Sequence, residues 1–462
     1  MTSSEPVLAC TWRPRAPLVI VGACGVVALV SMLVPVSLAY DSWAWLTWGR
    51  QVGRLALDTT RGPSWKPLPV IGTTVVAPFG WLAVPLWMVF TRTIGLLVLV
   101  AAYRLAARFA GWVAGAIAVI LVLVSPDGDP RFLRLVFEGH TAPLTAALLL
   151  WAIDRHLDGR HTSAFLLGVL FSLDRPEAWP LLAVYALWLW RKDPPLRRLL
   201  VVTLPIIPLL WFGGDWWGSG SPMHGADAAR VAAHTSNRTV GAIERFVDSV
   251  AAPAWLLAAF ALFDARRRRQ PALFVMAALA LGWGAIVVLM TVVFGYAALS
   301  RFFLPGAVLI CVLAGIGAVR AYESIVSTRG RVAFVVVLAL VAGPFVVVRT
   351  WAIGSVFDEM RARERVVAGL DDAIARVGGR DAVLECGRIA ISDLGVPRIA
   401  LAWKLNVPIR ATHRSLQGER GVRFVAANDR GARRTAEQGG LVELASTPNW
   451  LVFGADCGAH GD

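Results

Sequence analysis

Apolar residues in this chain fall in long unbroken runs rather than in the short alternations of a soluble domain. A helix needs about 20 predominantly apolar residues to cross a bilayer. Runs of that kind, some of them shorter, lie at 17–39, 84–107, 110–125, 140–157, 163–174, 178–190, 198–213, 251–264, 271–293, 302–319 and 331–353. The pattern predicts about eleven transmembrane helices. The pair 163–174 and 178–190 also reads as a re-entrant hairpin. Beyond residue 353 the pattern changes. Residues 358–377 read as an amphipathic helix. Short apolar runs follow at 382–386, 407–410, 421–426, 441–444 and 450–453, with helical patterning near 393–405 and 431–438. Short runs bounded by turn residues read as strands. The expected architecture is an all-α polytopic membrane domain at 1–353 and a small α/β domain at 354–462.

Composition supports the membrane reading. Of 462 residues, 57% are hydrophobic and only 16% are charged, against about 25% charged in an average soluble domain. The net charge of +14, from 45 basic and 31 acidic residues, would suggest nucleic acid in a soluble protein. Its distribution gives a different reason. With the N-terminus inside, the inner loops hold Arg104 and Arg108, Arg155 and Arg160, then Arg191, Lys192, Arg197 and Arg198. The run Arg266, Arg267, Arg268, Arg269 and the set Arg320, Arg329, Arg331 continue the alternation. This is the positive-inside rule along the whole chain. No nucleic-acid partner is expected. The basic residues include only three lysines, Lys66, Lys192 and Lys404, a bias of genome composition rather than chemistry. Arg13 and Arg15 precede a first apolar run too long for a signal-peptide core, so a retained first helix is expected. An odd number of crossings places the C-terminal domain outside a cell membrane, where Cys386 and Cys457 could pair or remain free thiols.

The ionisable groups that break the charge rule are on the outer side. The first outer loop, 40–83, carries Asp41, Asp58, Arg61 and Lys66. The second carries Asp127, Asp129, Arg131, Arg134, Glu138 and His140. The third is the turn Asp174, Arg175, Pro176, Glu177; the long fourth loop, 214–250, begins with Asp215 and His224. Arg301 lies at the mouth of a late span. Arginines on the outer side suggest an anionic ligand there. Trp43, Trp45 and Trp48 share a probable interfacial helix with Asp41 and read as an aromatic belt at the headgroup level. Asp41 reads either as a helix N-cap or as a general base whose pKa burial pushes upward. The stretch GPSWKPLP at 62–69, with its prolines, reads as a rigid extended turn holding Lys66 over the membrane surface. Arg92, inside the second span, is expected to face the bundle, paired with an acid or held as a structural buried pair. No cysteine or histidine spacing points to a metal.

The order of these motifs resembles the GT-C superfamily of integral-membrane glycosyltransferases. A first span ends in an outer loop opening AYDSWAW, followed by KPLP, then RFLRLVFEGH, then DRPEAW, and finally ALSRFFLPG. The superfamily includes protein-O-mannosyltransferases, aminoarabinose lipid-A transferases and actinobacterial arabinofuranosyl- and mannosyltransferases. The resemblance implies transfer of a sugar from a polyprenyl-phosphate donor to an acceptor hydroxyl, on the outer face and with inversion. It implies Asp41 as the base, with Asp58 as a possible secondary acid, because many members have paired acids where this chain has Asp41 and Ser42. Lys66, Arg134, Arg175 and Arg301 would bind the donor phosphate. Glu138, His140 and Glu177 complete the candidate substrate-binding set, and Arg175 with Glu177 also reads as an ion pair at a hairpin turn. No metal or other cofactor is implied. The partners would be membrane lipids, the polyprenyl-phosphate sugar and a glycan, lipid or protein acceptor. Mannose and arabinofuranose fit equally. Two other readings stand beside this one: a transporter or flippase for a lipid-linked sugar, and a non-catalytic GT-C-like protein that binds glycan. The C-terminal domain matches no module of the superfamily.

Overall fold

The computed structural model describes residues 16–124, 132–231 and 238–457. Arg13, Arg15, Asp127, Asp129 and Arg131 lie outside the described residues.

Each apolar run of the sequence is helical. The first is the helix Ala16–Val30, continued by a 3-10 turn at Ser31–Leu33. The second and third runs form one continuous assignment, Ala83–Val124, broken at Ala110 and Gly111. A Cβ on Gly115 would press on the Tyr103 ring. In a straight helix those two residues stand about 18 Å apart. The chain therefore doubles back at Gly111, whose φ of 79° suits glycine, and forms the two expected segments. The helices Ala142–Leu157, His161–Asp174, Trp179–Lys192, Ala252–Arg267, Pro271–Phe294 and Leu304–Ser324 match later runs. By length and composition, five helices among the described residues can cross a membrane, or six if the bent pair at 239–267 is one span. The eleven-crossing count is not reached, because several helices are too short to span alone.

Leu304–Ser324 is the axis of the bundle and is buried along nearly its whole length. Small residues allow this. A side chain at Gly317 would run into the Leu257 carbonyl, so only glycine lets the two backbones approach so closely. Arg92 faces the bundle, as expected, but its partners are not acidic. Its guanidinium donates to the Ser31 carbonyl at 2.6 Å and the Ser31 hydroxyl at 3.1 Å, and lies over the Phe137 ring at 4.4 Å. The first helix ends there, and the carbonyls of its last turn supply the negative end that an acid would have supplied.

The expected boundary at 353/354 falls inside a single helix, Thr328–Arg376. No helix-breaking sequence stands at the junction; Gly354 alone costs only about 1 kcal/mol. The helix runs from the membrane part straight into the C-terminal domain. There a five-stranded mixed sheet forms from β1 (Arg388–Ile391), β2 (Thr412–His413), β3 (Gly421–Ala426), β4 (Val442–Ser446) and β5 (Trp450–Ala455). Its order is β2-β1-β3-β5-β4, with β1 parallel to β2 and β3, and β5 antiparallel to β3 and β4. Helices Val396–Lys404 and Arg430–Gln438 match the expected helical patterning. Residues 382–386 are helical rather than extended, and 407–410 form a turn ahead of β2. Cys386 and Cys457 form a disulfide, with Cα atoms 5.3 Å apart.

The tryptophans of the first loop are not an aromatic belt. Trp43, Trp45 and Trp48 are buried in one core together with Leu401, Phe424 and Trp450 of the C-terminal domain. The sheet domain thus packs onto the juxtamembrane helix Tyr40–Val52, so these rings are shielded from the headgroup layer by protein.

Candidate functional site

Asp41 lies in the first turn of Tyr40–Val52, whose N-cap is Ala39. It is therefore not the cap. The Ala39 N–H donates to the Glu138 carbonyl at 2.8 Å, and the Ser42 hydroxyl donates to the Gly139 carbonyl at 2.7 Å. These bonds join the first outer loop to the second and bring Asp41 beside His140. Gly139 has φ 75°, and a Cβ there would strike Leu38, so the close approach depends on glycine.

Cations converge on the Asp41 carboxylate. Arg301, in the 3-10 turn Ser300–Phe303, holds Oδ2 at 3.0 Å. Phe302, next to it, carries the Arg175 guanidinium 4.0 Å over its ring. Arg175 also pairs with Glu177 at 3.7 Å, both buried. Lys66 stands just before the helix Pro67–Val76. The KPLP segment is thus a helix start, not an extended turn, because proline is pre-organised for the first helical turn. Lys66 Nζ donates to the Thr141 hydroxyl at 3.3 Å and lies 5.4 Å from the Trp45 ring centre.

The charge balance here differs from the sequence expectation. Burial alone pushes the Asp41 carboxyl up, as expected. Arg301 first, then Lys66 and Arg175, outweigh burial and hold it below its ordinary value. The group is a carboxylate at neutral pH. Lys66 is pushed down to about 8, first by burial and then by Arg175, with Asp174 and Asp41 pulling the other way. Burial also lowers His140, against the pull of Glu138, so its imidazole is neutral at pH 7.

A cavity of about 620 Å³ opens beside this cluster. Tyr40, Arg134, Glu138, His140 and Arg301 form its membrane-domain wall. The opposite wall comes from the C-terminal segment, including Arg363, Asp393 and Val396. Arg363 donates to Glu138 at 2.8 Å, and Glu138 lies 3.5 Å from His140 Nε2. Arg134 pairs with Glu359 of the same long helix. Arg363 and Glu359 have no signal in their local sequence; they reach the site only because the helix Thr328–Arg376 crosses the second outer loop. Asp174 belongs to the turn that carries Arg175. It is fully buried and accepts a bond from the Thr145 hydroxyl.

Asp58 is placed elsewhere. Its Oδ1 accepts from Thr60 and its Oδ2 pairs with Arg410 of the C-terminal domain at 2.8 Å. It anchors that domain to the first loop. Among the described residues, no group of three or more His, Cys, Asp or Glu side chains is placed to hold a metal.

The arrangement offers an ionised carboxylate among cations able to bind a phosphate, with a cavity beside them onto which Arg301 opens. No protein-family profile and no curated protein matches the sequence. Solved structures do. ArnT from Cupriavidus metallidurans, bound to undecaprenyl phosphate, superposes with a TM-score of 0.60 at 13% identity, over 97% of this chain and 99% of that one. Its apo state gives 0.58 at 13% identity, over 95% and 98%. The Archaeoglobus fulgidus oligosaccharyltransferase gives 0.41 at 14% identity, over 72% of this chain and 55% of that one, too low to add weight. Nearly the whole chain, C-terminal domain included, therefore has the fold of ArnT.

Proposed function

We propose that this protein is a membrane glycosyltransferase that moves a sugar from a polyprenyl-phosphate donor to an acceptor hydroxyl on the outer face of the cell membrane. The observation that carries this reading is the Asp41 carboxylate among Arg301, Lys66 and Arg175, with Arg301 and Tyr40 also lining the 620 Å³ cavity. The undecaprenyl phosphate bound by ArnT supports the choice of donor. In the proposed step the acceptor oxygen bonds to the anomeric carbon while the carbon–oxygen bond to the phosphate breaks. The bonding pair leaves on the phosphate, and the hydroxyl proton goes to Asp41. A single displacement inverts the anomeric centre. Cations aimed at the leaving phosphate stabilise the charge that develops in the transition state. Arg301 serves the carboxylate in the empty site and the phosphate when donor is present; Lys66 and Arg175 flank it. Glu138 and His140, held by Arg363, face the acceptor cavity. The sugar is a hexose or pentose, and the acceptor a glycan, lipid or protein. The N-terminus is cytoplasmic and the C-terminal domain extracytoplasmic, in keeping with the basic inner loops.

The test is transfer from a panel of polyprenyl-phosphate sugars by purified protein in liposomes. Asp41→Asn should insert and fold normally yet lose about 10²–10⁴-fold in transfer rate. A variant that keeps full transfer would remove Asp41 from the mechanism. Movement of the lipid-linked sugar across the bilayer, with no transfer at all, would favour a flippase.

A further inference from the structure

A second basic pocket lies between the other end of the juxtamembrane helix and the C-terminal domain. Its volume is about 530 Å³, and Arg50, Arg54, Trp81, Trp403, Lys404 and Asn406 are among its walls. No acidic residue lines it. The partners of its two arginines are neutral. Arg50 donates to the Trp403 carbonyl at 3.0 Å and lies 4.2 Å from the Trp403 ring centre. Arg54 donates to the Asn406 side-chain oxygen at 2.9 Å. Lys404 is paired with Asp371, which is largely exposed and is not among the lining residues. Arg50 is pushed down to about 10, by burial first and then by Arg54 and Arg380.

The rim is apolar and bare. Trp81 is 83% exposed, Leu55 81% and Phe79 55%. Trp81 and Phe79 precede the helix Ala83–Val124, whose apolar run enters the membrane part. Large bare side chains at that level belong at the lipid surface, where tryptophan favours the headgroup layer. The pocket thus joins cations with neutral partners, a cavity wide enough for a phosphate headgroup, and an apolar rim for the acyl chains below it.

We propose that this pocket binds the phosphate headgroup of an anionic membrane phospholipid, and that the lipid clamps the C-terminal domain to the first outer loop. Arg50 and Arg54 make charge-assisted bonds to the phosphate, Thr74 and Lys404 close its sides, and the acyl chains lie on Trp81 and Phe79. The site is separate from the Asp41 cluster and does not depend on the transfer reaction.

The experiment uses the full-length protein in detergent micelles doped with phosphatidylglycerol or phosphatidylcholine, with inorganic phosphate as a third arm. Bound lipid is counted by native mass spectrometry and the unfolding midpoint is followed in parallel. Phosphatidylglycerol should be retained and should raise the midpoint; phosphatidylcholine and free phosphate should not. Arg50→Gln with Arg54→Gln should weaken phosphatidylglycerol binding about tenfold or more, the loss expected for at least one charge-assisted bond. The pair Arg433→Gln with Arg434→Gln, exposed on the helix Arg430–Gln438, removes the same charge and should leave binding unchanged. If the double variant at 50 and 54 does not fold, Arg54→Gln alone gives the reading, because that residue is exposed. Equal retention of both lipids by the wild type, saturation by free phosphate alone, or full binding by the Arg54 variant would each overturn the proposal.

Discussion

At the residue scale the sharpest feature is Lys66. A lysine is charged below its pKa, and burial pushes this one down to about 8. If its charge binds the donor phosphate, kcat/KM, which reports the free enzyme, should fall as pH rises through about 8. Lys66→Arg keeps the charge at any working pH, so the alkaline fall should disappear even if the rate drops at every pH. A fall that survives in this variant would assign it to another group. The acid side behaves oppositely. Asp41 is held below its ordinary value by surrounding cations, so the proton-accepting form should persist through the usual carboxylate range near pH 4. The residue's position at the end of the first span was legible in the sequence; the direction of its shift was not. Burial and opposing charge act on one carboxyl with opposite signs, and only the placement of Arg301, 260 residues away in the chain, decides which prevails.

At the scale of elements, apolar run length placed nearly every helix, because a lipid-facing helix has no other way to satisfy its backbone. The errors came where geometry rather than hydropathy decides. KPLP opens a helix rather than an extended turn. The packing of Leu304–Ser324 is likewise invisible in composition, since Gly317 looks like any glycine in an apolar run. Its position predicts a contrast. Gly317→Ala should destabilise the protein by about 1–3 kcal/mol, the usual range for overpacking, because the added methyl meets the Leu257 backbone, which cannot move aside cheaply. Gly282→Ala, with open space at its Cβ, should be neutral or slightly stabilising through helix propensity. Unfolding midpoints of the two variants in one detergent check both expectations.

At the scale of the whole molecule, the C-terminal domain is part of the candidate site's architecture. It shares a core with Trp43, Trp45 and Trp48, ties Asp58 through Arg410, and lends Arg363 to Glu138. The Cys386–Cys457 disulfide closes a span of 71 residues around the sheet. Such a cross-link contributes about 2–4 kcal/mol, largely by restricting the unfolded chain. Reduction, or Cys386→Ser with Cys457→Ser, should lower the unfolding midpoint of this domain. Because that domain walls the cavity, transfer activity should fall at temperatures where the membrane helices remain folded. Circular dichroism and an activity–temperature profile taken together measure both.

The membrane character, the positions of the helices and the small trailing domain were all set by local composition. Each depends on the free energy of moving a nearby stretch of chain between water and lipid, and a short window contains that quantity. Which cation faces Asp41, where the tryptophans are buried, and how the long helix Thr328–Arg376 brings Arg363 to the second outer loop were decided only by the tertiary structure. These are contacts between residues hundreds of positions apart, and their energy lies in distances that no stretch of sequence holds by itself.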